Sequence, residues 1–178
     1  MHGGRIAAHR HPWREGELAG IIHQISTSDG GVPKLPVHQA LVTQAGIVGD
    51  RQKNRLFHGG PNRAVCLYSL EVIGRLRTEG HPIAPGTTGE NVTVSGIDWP
   101  LVRPGVRLRL GAEAEVEVTT YTVPCKNIAG SFADGRFNRI SQKAAPGDSR
   151  VYARVLREGW ITIGDAVETL EPLQGSLL

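Results

Sequence analysis

Cysteine is scarce in this chain of 178 residues: Cys66 and Cys125 are its only two. They form no C-x-x-C pair and cannot supply four thiolates, which excludes a disulfide framework and an iron–sulfur cluster built by the chain alone. A reducing, cytoplasmic setting is expected. Long apolar runs are also missing. No window approaches the roughly 20 apolar residues of a membrane span, and the opening "MHGGRIAAHRHPWREGELAG" has charges and glycines where a secretory signal needs an apolar core. A soluble protein without a membrane partner is expected. Nor is there a charge excess of one sign. The 20 Lys and Arg stand against 17 Asp and Glu, for a net +3, and no long basic run concentrates them, which is too mild to imply nucleic acid. G-x-G-x-x-G, the Walker loop, H-E-x-x-H and G-x-S-x-G are all absent.

What is present is a run of short, β-rich segments. The length and a hydrophobic content of 39% suit one domain. Residues 1–17 have little apolar content and read as a flexible arm, in which "HRH" (His9 to His11) lacks the fixed geometry a metal site needs; residues 18–172 read as the domain. "IIHQIS" alternates, placing Ile21, His23 and Ile25 on one face and Ile22, Gln24 and Ser26 on the other, and "VHQALVT" and "RAVCLYS" read as further strands. In "VRLRLGAEAEVEVTT" a three-residue loop, Gly111 to Glu113, sets Leu110 opposite Ala114 inside, with Arg109 opposite Glu115 and Arg107 opposite Glu117 on a solvated face. "SLEVIGRLRTEG" predicts a helix with Ser69 as N-cap, an apolar stripe of Leu70, Val72, Ile73 and Leu76, and Gly80 as its stop. "FADGRFNRISQK" is weakly helical or irregular, and "VYARVLREGWITIGDAVETL" returns to strands. With 23 glycines and one or two helices, the expected fold is mainly β, a closed or nearly closed barrel and not a βαβ nucleotide fold.

Four polar clusters sit where strands begin or end: "GDR" (49–51), "HGGPNRA" (58–64), "GEN" (89–91) and "PCK" (124–126). Strand ends on a barrel gather at a rim, where loops on a rigid scaffold build sites. Gly59 and Gly60 let the backbone approach an anion, or simply make the turn before Arg63. Asp50 can brace Arg51 or Arg63, or cap its own turn. Glu90 and Asn91 can bond a heterocycle or organise the turn. Cys66, inside "AVCLY", reads as a small buried hydrophobe. Cys125 follows Pro124 and precedes Lys126, whose charge lowers a thiol pKa if both side chains face one cleft. It is either an inert thiol or a nucleophile, a sulfur carrier or a soft metal ligand.

The order of "SDGGVPKLPV", "GIVGDRQ", "HGGPNRAVCLYSLEVI", "GENVTVSGIDW", "PC" (124–125) and "RVYARVLREGWITIGDAV" resembles the MOSC domain family, the molybdenum cofactor sulfurase C-terminal domain, in its stand-alone single-domain bacterial form. The resemblance runs from about residue 20 to 170. It implies a β-barrel whose rim holds the pterin-based molybdenum cofactor, with Cys125 as thiolate ligand to molybdenum. By the same carry-over, Lys34, Arg51, His58, Arg63 and Lys126, with the Gly59 and Gly60 amides, become candidates to hold the cofactor's phosphate. Asp50, Glu90 and Asn91 would orient those groups or bond the pterin. Arg154 is a further candidate, although an outward-facing strand arginine is the simpler reading.

Two functions follow from the resemblance. One is a molybdenum-dependent oxidoreductase that reduces N-hydroxylated small molecules, such as hydroxylaminopurines or amidoximes. With no flavin motif and too few cysteines for a cluster, its electrons would come from a separate reductase protein. The other is a carrier of sulfur, as a persulfide on Cys125, or of the cofactor itself. Oligomeric state is not legible in the sequence.

Overall fold

The computed structural model describes residues 20–51 and 60–170. Eleven strands are present among them: β1 (Gly20–Thr27), β2 (Leu35–Val37), β3 (Gln39–Thr43), β4 (Gly46–Ile47), β5 (Val65–Ser69), β6 (Val92–Ser95), β7 (Arg107–Leu110), β8 (Ala114–Tyr121), β9 (Val151–Arg157), β10 (Gly159–Thr162) and β11 (Ala166–Leu170). The order β11-β7-β8-β9-β5-β6-β1 closes on itself through β1–β11 pairing at Gly20↔Val167 and Ile21↔Ala166, and makes a seven-stranded barrel. β2 extends the sheet beyond β1, while β10-β3-β4 form a separate small sheet. Closure removes the free edges that an open sheet would present. The expected mainly β barrel is the fold.

The barrel interior is filled by alternate residues of the ring strands, among them Leu108, Leu110, Val116, Val118, Ala153, Val155 and Val167, all buried. The β7–β8 hairpin has the expected register, with Leu110↔Ala114, Arg109↔Glu115 and Arg107↔Glu117. Arg107 Nε bonds Glu117 at 3.1 Å. Arg109 departs from the expected solvated face: β11 places Glu168 beside it, Arg109 Nη2 bonds that carboxylate at 2.6 Å, and the arginine is only 9% exposed. A hairpin read alone does not show the third strand.

β1 also departs from the simple alternation. The register against β6 shifts between Ile22 and Gln24, so Ile22 and Ile25 are both buried while Ile21 is 49% exposed. A bulge adds one residue to one strand and switches the facing of everything after it, which a period of two cannot anticipate.

α1 (Leu70–Thr78) follows β5 directly. Ser69 Oγ accepts from the N–H groups of Glu71 and Val72 at 3.1 and 3.2 Å, and Val72, Ile73 and Leu76 face the core. The helix ends on Gly80 at φ 93, where Gly80 N–H bonds Arg77 O and His81 N–H bonds Leu76 O, a Schellman stop. β5 and β6 then pair in parallel across this helix. One βαβ crossover is thus set into the barrel, and it accounts for β5 being buried along its whole length. Between Lys126 and Ile140 the chain makes three short 3-10 turns, Lys126–Ser131, Ala133–Gly135 and Phe137–Ile140, the last two within the stretch 132–143 that the sequence marks as weakly helical or irregular. No helix among the described residues is long and apolar enough to cross a membrane.

Candidate functional site

A cleft of about 400 Å³ opens at one end of the barrel. Three chain segments enclose it. The loop from Ser28 to Lys34 forms one side, Thr88 and Gly89 another, and the extension of the β8–β9 pair, with Val123, Cys125, Asn127 and Ile128 on one strand's continuation and Arg150 and Tyr152 on the other, forms the third. Thr122 N–H bonds Arg150 O at 2.9 Å and Tyr121 pairs with Val151, so the ladder fixes Arg150 beside the segment that leads to Cys125.

Among the described residues the lining carries Lys34, Arg51 and Arg150 and no carboxylate. Asp50 lies beneath it. Its carboxylate is 3% exposed, forms an ion pair with Lys34, and accepts from Ser28 N–H and Asn91 Nδ2, both at 2.9 Å. Asn91 continues the brace inward: its Oδ1 accepts from Cys66 N–H at 3.1 Å and its N–H bonds Cys66 O at 2.8 Å. The sequence offered Asp50 as a brace for Arg51 or Arg63; in the fold it braces Lys34. Arg51 instead pairs with Asp29 at 3.0 Å, both side chains about 80% exposed, a contact worth under about 1 kcal/mol.

Glu90 is fully buried and organises its own turn. Its carboxylate accepts from Gly86 N–H at 2.6 Å, Thr88 Oγ1 at 2.7 Å and Thr93 Oγ1 at 3.3 Å. That turn presses against the opposite wall: a Cβ on Gly86, at φ +84, would stand 2.4 Å from Lys34 O. Gly89, at φ +85, faces the cleft, and a Cβ there would stand 3.0 Å from Val32 Cγ1.

Of the other residues singled out by sequence, Gly60 begins the 3-10 turn Pro61–Arg63 at φ 96. Arg63 stacks over the Tyr152 ring at 5.7 Å and so borders the cleft through that tyrosine. Lys126 is exposed and does not line the cleft. Arg154 lies on the outer face of β9, where Nη2 bonds Glu117 Oε1 at 2.8 Å. His58 and Gly59 lie outside the described residues.

The two thiols differ in setting. Cys66 is buried, and burial, partly offset by Arg150, pushes its pKa up to about 11. Cys125 is half-buried and stands in the cleft wall. Burial likewise pushes the Tyr152 phenol up to about 12, so it stays protonated in the wall.

Sequence reasoning missed Arg150, Tyr152, Thr88 and the Ser28 end of the first loop. Arg150 had the same signal as the other clusters, a charged residue directly before a strand, in "GDSRVYARV", but it was read as part of a turn.

These groups suit a particular kind of ligand. Among the described residues no three His, Cys, Asp or Glu side chains come together to hold a metal ion. The described residues offer a metal in this cleft one thiolate, Cys125, a soft donor that suits a transition metal. The cationic lining of Lys34, Arg51 and Arg150 suits an anionic group on the same molecule. A pterin that carries both a metal and a phosphate meets both conditions.

A family model for the MOSC domain matches residues 54–168. YflK of Bacillus subtilis strain 168, an uncharacterized protein, is 32% identical over 142 residues, which cover 79% of this chain and 63% of that one. YiiM of Escherichia coli K12 is 30% identical over 91 residues, covering 49% of this chain and 40% of that one. The chain therefore spans less than two thirds of either relative. Among crystal structures, YiiM from Geobacillus stearothermophilus superposes with a TM-score of 0.67 at 26% identity, covering 89% of this chain and 78% of that one. The YUAD protein from Bacillus subtilis shares the fold with a TM-score of 0.70 at 19% identity, covering 86% and 97%. The matched family segment takes in more than half of the sequence and includes the cleft walls that carry Gly89, Cys125 and Arg150, and the chain belongs to the MOSC domain family.

Proposed function

We propose that the cleft binds a molybdenum cofactor of the molybdopterin type and that the protein is a reductase of N-hydroxylated small molecules. The observation that carries this reading is a soft thiol, Cys125, in the wall of a cleft whose described lining has three cations and no carboxylate. The cofactor supplies the two-electron oxygen-atom chemistry when bound. The chain's own residues hold and shield it. Cys125 provides the thiolate ligand. Lys34, fixed in place by Asp50, is a hydrogen-bond donor on the cleft wall, and Asn91 holds Asp50 in turn. Val32, Val123 and Ile128 supply apolar wall, which limits water around the reacting atoms. The protonated Tyr152 phenol is a hydrogen-bond donor on the same wall. Electrons come from a separate reductase protein, since the chain has neither a flavin motif nor the cysteines for a cluster.

Protein purified from a host that makes the cofactor should reduce a hydroxylaminopurine or an amidoxime with reduced viologen as donor, and Cys125→Ala should lose at least about 100-fold of that rate, the scale of removing a group that binds the reacting centre. Metal-loaded wild type that turns over neither substrate would overturn the reductase reading.

A further inference from the structure

Arg150 is a buried cation that makes no ion pair among the described residues. It is 6% exposed, and none of the ion pairs among the described residues includes it. Nη1 donates to Thr88 O, whereas Nε is shut off from solvent and has no acceptor. Glu90, buried nearby, is committed to Gly86, Thr88 and Thr93. Among the described residues this guanidinium thus lacks a direct ion pair and part of its hydrogen bonding, and each deficit is destabilising. The other lining cations differ. Lys34 is neutralised by Asp50, and Arg51 is paired at the surface with Asp29.

Three features fit Arg150 to an oxyanion. With Nη1 committed to Thr88 and Nε shut off from solvent, Nη2, for which no hydrogen bond is present among the described residues, is the guanidinium nitrogen left for a phosphate or carboxylate oxygen in the cleft. Gly89, at φ +85, lies beside it on the cleft lining and adds no side chain there. The backbone of Arg150 is fixed by the Thr122 N–H bond, so the guanidinium is presented from a rigid ladder on the same wall as Cys125.

We propose that Arg150 is the anion anchor of the cleft and seats the phosphate of the cofactor, in place of the exposed or already paired cations nearer the rim. The inference rests on the cofactor reading for the identity of the natural ligand, but its test does not use activity. Metal-free protein, made in a host that lacks the cofactor, is melted in millimolar inorganic phosphate and in chloride of matched ionic strength. Wild type should gain several degrees in phosphate, as should Arg107→Met on the outer face. Arg150→Met should melt in chloride no lower than wild type, because it removes an uncompensated buried charge, and should gain nothing from phosphate. If that variant fails to fold, Arg150→Lys, which keeps the charge without the planar fork, should lose more than half of the phosphate-induced gain. Cofactor-loaded wild type should gain nothing, because the seat is filled. A phosphate gain in Arg150→Met or Arg150→Lys equal to wild type, or no gain in wild type, overturns the anchor. A full gain in the loaded protein overturns its assignment to the cofactor. Failure of the cofactor reading itself is read separately, as absence of molybdenum from protein made where the cofactor is available.

Discussion

The chemistry of the site divides among residues by what surrounds each one. Cys66 and Cys125 have the same side chain, but Cys66 is packed inside β5 with its pKa pushed up to about 11, whereas Cys125 stands in the cleft. At pH 7 a thiol with that pKa is ionised in about one molecule in 10⁴, and the thiolate is the reactive form. Iodoacetamide should therefore modify Cys125 alone in the folded protein and reach Cys66 only after denaturation, as read by peptide mass spectrometry. An adduct on Cys66 without denaturant would contradict its placement. The contrast between the two cysteines was legible in the sequence, because "AVCLY" is apolar on both sides and "PCK" is not. Arg150 was not legible, because a single sequence gives no sign of whether an arginine before a strand turns outward to a carboxylate, as Arg154 does to Glu117, or inward to a carbonyl.

At the scale of elements, α1 is held at its start by a side chain that also ties it to the barrel. Glu71 Oε2 accepts from Ser69 Oγ at 2.7 Å and Oε1 accepts from Gly96 N–H at 2.7 Å, just past the end of β6. Burial acts to raise the Glu71 carboxyl, but hydrogen bonds from Gly96, Ser69 and its own N–H outweigh it and hold the group below its ordinary value of 4.5. A lowered folded-state pKa contributes stability above the unfolded value, and that stability is lost as pH falls through the folded one. Glu71→Gln should thus melt below wild type at pH 7, and the gap should close as pH drops below 4.5; melting curves against pH would show it, and a gap independent of pH would contradict it. The helix was readable because its cap, stripe and stop are all local. The β1 bulge and the parallel β5–β6 pairing were not, since each depends on which strand lies alongside, and that is fixed by residues far away in sequence.

At the scale of the whole molecule, barrel closure places the ends of β1 and β8, the start of β9, the segment after β4 and the turn before β6 around one cleft. Distant polar clusters thereby become one lining, with Asp50 and Asn91 as its buried brace and Lys34, Arg51, Arg150 and Cys125 on its surface. The sequence carried the rim arrangement, because turn residues mark strand ends wherever they fall; it did not show which ends meet. The central claim is that this lining holds a molybdenum cofactor through Cys125. The most direct test is molybdenum per chain, by elemental mass spectrometry, on wild type and Cys125→Ala purified from a host that makes the cofactor. The account predicts near-stoichiometric metal in wild type and little in a variant that still folds. No molybdenum in wild type, or equal amounts in both, would contradict it.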